Sequence, residues 1–133
     1  MIAVDTCILA RYALKDDPAQ TATATQFLKT RQCRILKSVI LELAWVFSSP
    51  SGYNLPRQTV AERLRHICGL PTIDVEDASN VAFAITLFEK GMDFGDALHL
   101  ASASTLNSFA TFDKKMAAKA GKVAPLKKIT LLK

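Results

Sequence analysis

Four carboxylates stand where carboxylates are uncommon. Asp5 closes the apolar run Ile2 to Val4, and Asp113 closes the run Phe109 to Phe112. Both runs read as strands, which puts each acid at the carboxyl edge where open α/β sheets place their ligands. Glu42 and Asp96 lie among apolar helix neighbours, with no Arg or Lys within four positions of either. A carboxylate taken out of water loses several kcal/mol of hydration unless it is paired, hydrogen-bonded or bound to a cation. A cation shared by all four is the economical account, and an all-oxygen ligand set suits Mg²⁺ or Mn²⁺ rather than zinc. The chemistry open to such a centre is metal-assisted attack, by a water that the ion activates and with charge relief at the group attacked. No Ser/His/Asp set, Walker loop or Cys nucleophile accompanies the acids. Each acid also has an ordinary reading: Asp5 and Asp113 as helix N-caps, Glu42 paired with a distant arginine, Asp96 as a first-turn acid favoured by the helix dipole.

Other residues read two ways. Thr6 and Thr111 each neighbour one of the four acids and either orient water and ligands or serve the backbone. Asp93 caps a helix whose first turn holds Asp96, or supports the metal ligands from behind. Asp93-Phe94-Gly95 spells the kinase magnesium triplet, a coincidence in a chain without the accompanying loops. His99, three positions beyond Asp96, either orients a phosphate or packs in the core. Arg11 touches substrate phosphate or forms a surface ion pair. Trp45 and Phe47 either contact a partner's helix or, as the plainer reading, pack in the core.

The elements that must position these groups follow from periodicity and breakers. Strands are predicted at Ile2 to Val4, Cys33 to Leu36, Pro71 to Asp74, Phe109 to Phe112 and within Val123 to Leu132. Between them the spacing predicts a helix capped by Thr6 and a proline-started helix from Pro18 to Thr30. It further predicts a helix capped by Ser38 that carries Glu42, and one from Pro56 to Gly69. Helices over 77–90, Phe94 to Leu106, and Asp113 to Ala120 ending at Gly121 complete the set. Strands alternating with helices imply an α/β fold, a short and mostly parallel sheet flanked by helices.

A length of 133 residues fits a single domain, 1–133, with half its residues apolar. The longest apolar stretch, Val39 to Phe47, is interrupted by Glu42 and far short of the ~20 residues that span a bilayer, and no secretory leader is visible. A cytoplasmic protein without membrane contact is expected. Cys7, Cys33 and Cys68 have no metal-ligand spacing and read as reduced, small buried side chains. The net charge of +5 is concentrated after position 113, where seven lysines, among them Lys127 and Lys128, meet no acid. That segment either attracts a polyanion such as a nucleic acid or keeps the surface soluble.

Taken in order, these motifs resemble the PIN-domain nucleases, above all the VapC toxins of toxin–antitoxin pairs, over essentially the whole chain. Asp5-Thr6 looks like the family's opening pair, Ser38 to Phe47 like the helix carrying its glutamate, and Thr111-Phe112-Asp113 like its last acidic motif. Asp93-Phe94-Gly95-Asp96-Ala97-Leu98-His99 is the most specific match. Cys7 and Met116 depart from residues that many relatives carry. The resemblance implies a PIN-like three-layer fold, a Mg²⁺-dependent endoribonuclease with Asp5, Glu42, Asp96 and Asp113 as catalytic metal ligands, a homodimer, and a small antitoxin that blocks the acidic site. In that setting Arg11, Lys127 and Lys128 would position the RNA backbone. The alternatives are a stand-alone RNA-processing nuclease, a haloacid-dehalogenase-type phosphatase, which wants an acid where Cys7 stands, a receiver domain, and a non-enzymatic binding module.

Overall fold

The computed structural model describes all 133 residues, and the chain divides into two compact units, Met1–Ala78 and Ser79–Lys133.

The first unit alternates three short strands with two helical hairpins. Strand β1 (Ile2–Ala3) leads through α1 (Thr6–Leu14) and α2 (Pro18–Thr30) to β2 (Cys33–Ile35). Helices α3 (Lys37–Ser48) and α4 (Arg57–Cys68) then lead to β3 (Ile73–Val75). The strands lie in the order β1-β2-β3, all parallel, with Ile2 opposite Cys33 and Arg34 opposite Asp74. Parallel neighbours need a crossover, and each hairpin is one, so every strand ends on the same edge. That common edge carries Asp5 after β1, Leu36 and Lys37 after β2, and Glu76 after β3. Leu9, Ile35, Ile40, Leu43, Phe47, Leu64 and Ile67 are fully buried in this unit.

The second unit holds most of α5 (Ala78–Glu89), then α6 (Phe94–Ser102), β4 (Phe109–Thr111), α7 (Lys114–Val123) and β5 (Ile129–Leu131). Strands β4 and β5 pair in parallel, Phe109 opposite Ile129, across the α7 crossover. Gly91 breaks α5 from α6 at φ 110°, a left-handed conformation that glycine adopts without strain. The edge-to-face pair Phe88 and Phe94, ring centres 5.6 Å apart, spans that corner, and Leu87 and Leu100 are fully buried.

The expected α/β class with short parallel strands holds, in two sheets of three and two strands. Several local expectations do not. Asp5, not Thr6, caps α1, and Thr6 is buried in the first turn. Helix α3 begins before Ser38, with Leu36 at its N-cap and no side-chain bond of its own there. Helix α6 stops at Ser102 short of Leu106, and α7 runs through Gly121 to Val123. Among the cysteines, all free, Cys33 is buried and Cys68 half-buried, its thiol pushed up to about 11 by burial, whereas Cys7 is exposed. Trp45 is 59% exposed although its neighbour Phe47 is buried, because α3 is apolar nearly all round and only one face meets the core. No helix is long and apolar enough to cross a membrane.

Candidate functional site

In the first unit, β1 is too short to do more than deliver Asp5 to the sheet edge. There Asp5 takes extended backbone and its Oδ1 accepts the Thr6 N–H at 2.7 Å, opening α1. Glu42 sits in the second turn of α3, which β2 launches from the same edge. Both carboxylates are exposed and line a cavity of about 440 Å³ together with Thr6, Cys7, Arg11 and Tyr53. The ion pairs of this unit involve other acids: Arg11 with Asp16, Arg34 with Asp74, and Lys37 with Asp77. Arg11 is therefore engaged in the surface ion pair that was its alternative reading. Beside Asp5, the Thr6 hydroxyl is buried without a hydrogen-bond partner. An orphaned buried hydroxyl costs about 1–3 kcal/mol unless a ligand or water meets it.

In the second unit, Asp93 caps α6, its Oδ2 accepting the Asp96 N–H at 3.1 Å. Asp113 caps α7, its Oδ1 accepting the Met116 N–H at 3.0 Å, and Thr111 Oγ1 accepts the Asp113 N–H at 2.9 Å. Thr111 thus fixes the backbone of Asp113 rather than its carboxylate. Asp96 caps nothing. Its half-buried carboxyl is held above the usual carboxylate range, first by burial and then by repulsion from Asp93 and Asp113, with His99 pulling the other way. The His99 ring is exposed and stacks at 6.4 Å on Phe109, not in the core as its plainer reading had it.

The structure thus brings Asp5 and Glu42 to one cavity, and sets the Asp96 carboxyl within electrostatic reach of Asp93 and Asp113. It does not gather three His, Cys, Asp or Glu side chains into a ready-made metal cage. Nor does it bring Lys127 and Lys128 to Asp113. The Lys128 carbonyl accepts the Phe109 N–H, so both lysines lie at the edge where β4 starts, while Asp113 lies past the edge where it ends. Three strand residues, roughly 10 Å, separate the two edges. Lys127 Nζ lies over the Phe83 ring, 5.4 Å from its centre. Two contributors were invisible in the sequence: Tyr53, which follows an ordinary turn signal, and Glu76, which reads as an acid opening the next helix.

The model of the PIN domain matches residues 2–122. The chain belongs to the PIN-domain family. The match runs through both units and includes Asp5, Glu42, Asp96 and Asp113, and it stops before Lys127 and Lys128. No curated protein matches the chain. PIN domains are in general nucleases that act on RNA or other nucleic acid with divalent metals such as Mg²⁺, so this PIN domain is of a hydrolytic nuclease type. Its residues fit such an ion: the donors are all oxygen, none of the four acids is in an ion pair, the Asp96 carboxyl is destabilised by burial and then by its acidic neighbours, and the Thr6 hydroxyl next to Asp5 in the chain is unmet. An open arrangement of acids rather than a closed cage suits Mg²⁺, which keeps several of its waters.

Proposed function

We propose that this PIN domain is a Mg²⁺-dependent endoribonuclease acting as a single nuclease domain in the cytoplasm, the toxin of a toxin–antitoxin pair. The observation that carries the reading is the pair Asp5 and Glu42, without basic partners, on the wall of a cavity at the carboxyl edge of a parallel sheet. Asp5, Glu42, Asp96 and Asp113 would hold the ion, with Mn²⁺ as a substitute. The chemistry that a bound divalent ion supplies is an activated water and charge relief at the phosphate. The chain's own residues do the rest. Capping takes one oxygen of Asp5 and one of Asp113, which fixes both carboxylates and leaves the second oxygen of each to a ligand. The Thr6 hydroxyl can donate to a water or phosphate oxygen beside Asp5, and Asp93 holds the backbone of Asp96. His99, exposed next to Asp96, orients the phosphate, and Lys127 and Lys128 contact the RNA backbone away from the cut.

Two surfaces support protein partners. A groove of about 410 Å³ between α1 and α2 is lined by Ile8, Ala24 and Phe27 and shares Cys7 and Arg11 with the acidic cavity. A small antitoxin laid along it would bring a basic side chain to Asp5 and Glu42. Exposed Leu41 and Trp45 on α3 suit a homodimer contact, which sedimentation of the purified chain would detect.

The deciding experiment incubates the purified chain with total RNA in Mg²⁺ and in EDTA. Internal cleavage is expected in Mg²⁺ or Mn²⁺ only, reduced at least a hundredfold in Asp5→Asn and in Asp96→Asn, about the size of effect seen when a group stabilising the transition state is removed. Undiminished cleavage in EDTA would defeat the reading.

A further inference from the structure

The cavity that holds Asp5 and Glu42 is larger than a metal centre needs, and its far wall is not acidic. A six-coordinate hydrated ion at ~30 Å³ per water takes roughly 180 Å³. The cavity measures about 440 Å³, within the ~300–1,000 Å³ range of small-molecule sites. Away from the acids its lining is Ala10, Val46, Arg11 and Tyr53.

Tyr53 is 38% exposed, yet it is held at both ends. Its backbone N–H donates to the Val46 carbonyl at 3.0 Å, and Val46 lies one helical turn beyond Glu42. Its hydroxyl donates to Asp16 Oδ2 at 2.7 Å. Asp16 also accepts two contacts from Arg11 Nη1, both 3.0 Å, and Arg11 Nε donates to Gln20 at 2.6 Å. The Tyr53 hydroxyl, then Arg11, holds the Asp16 carboxyl below its ordinary value, and the bond to Asp16 holds the phenol above its own, so the network persists at neutral pH. Two consequences follow for a ligand. The charge of Arg11 is matched by Asp16, which leaves this wall little pull on a phosphate. The polar tip of Tyr53 is already engaged, which leaves its ring as the part that a ligand can use.

We propose that Tyr53 forms the wall of a nucleobase subsite, receiving by stacking a base of single-stranded RNA that flanks the phosphate at Asp5 and Glu42. The inference rests on the metal-dependent ribonuclease reading and adds how that site grips its substrate. Single-stranded bases are commonly held on aromatic side chains, tolerantly of sequence because every base has a π-face. Gly52 sets the ring's place: its N–H bonds the Ser49 carbonyl at 2.9 Å, and a Cβ there would overlap the Val46 carbonyl, so any side chain pushes the turn off α3.

The test measures, without divalent metal and at one ionic strength, the binding of the full chain to a short oligoadenylate and to its abasic counterpart of equal phosphate count. The wild type is expected to prefer the oligoadenylate by about tenfold or more. Tyr53→Phe keeps that preference because it keeps the ring, and Tyr53→Leu loses it while binding the abasic strand as before. Gly52→Ala, which displaces the ring without removing it, reduces the preference, with circular dichroism verifying that each variant is folded. An equal preference in the wild type and Tyr53→Leu, or none in the wild type, overturns the subsite. Cleavage in Mg²⁺ by the same preparations separates the two readings. Base preference without cleavage removes the nuclease reading and leaves the subsite standing; cleavage without base preference does the reverse.

Discussion

At the scale of single residues, capping and metal binding are compatible roles for the same acid. Asp5, Asp93 and Asp113 each satisfy a helix N-terminus with one carboxylate oxygen. Asp96 is different, because its carboxylate meets burial and two acidic neighbours and caps nothing. With its folded pKa raised, protonation favours the folded state. The penalty is fully present above the raised value and is relieved as pH falls through it toward the ordinary carboxylate range. In EDTA near neutral pH, Asp96→Asn should therefore melt at or above the wild-type temperature, the gap closing as the solution is acidified. Mg²⁺ at ~100 times its dissociation constant should stabilise the wild type by about 2.7 kcal/mol and the variant much less. Melts in which the variant is weaker in EDTA and Mg²⁺ moves neither protein would make Asp96 a structural acid and remove it from the metal site.

At the scale of elements, the helix that carries Glu42 takes its cap from a residue far along the chain. Helix α3 opens at Leu36 without a side-chain cap, and its orphan N–H groups would otherwise face the sheet edge. Glu76, just past β3, supplies the cap: its Oε1 accepts the Lys37 N–H at 2.8 Å while its own N–H bonds the Ile35 carbonyl at 2.9 Å. Lys37 Nζ pairs with Asp77 at 3.0 Å, tying the same strand ends together. A lost N-cap costs about 1 kcal/mol, a few degrees in Tm for a chain of this size. Glu76→Ala should show that loss in thermal melts, and Glu76→Gln, which keeps an acceptor, should show less. Equal melting of all three proteins would mean that water caps α3 as well as Glu76 does.

At the scale of the whole molecule, charge and chemistry occupy different places. Asp5 and Asp113 follow the ends of their strands, whereas Lys127 and Lys128 precede β5 and lie beyond the stretch matched by the family. Each lysine-to-phosphate contact with a single strand contributes about 0.7 to the slope of log affinity against log salt. Replacing both lysines with Gln should flatten that slope by roughly 1.4 and raise KM, while kcat stays close to wild type because the lysines are distant from Asp113. An unchanged slope in a salt titration would reduce the lysine-rich end to a solubilising surface.

What the amino-acid order determined by itself was whatever local chemistry decides. Asp17-Pro18 starts α2 where proline's fixed φ and an aspartate cap permit it, and α2 ends at Thr30 as its pattern predicts. The strands fall on short apolar runs, and the four acids stand out because such runs precede Asp5 and Asp113 while apolar helix neighbours surround Glu42 and Asp96. Tertiary structure decided everything that depends on a partner far along the chain. Glu76 reaches Lys37 across 39 positions and Tyr53 reaches Asp16 across 37, and no periodicity encodes either meeting. Trp45 is exposed and Phe47 buried on a helix that is apolar nearly all round, so only the packed face distinguishes them. Lys127 and Lys128 sit at the edge away from Asp113 because β5 pairs in parallel with Phe109 opposite Ile129, and a register is a property of two strands, set by neither strand alone.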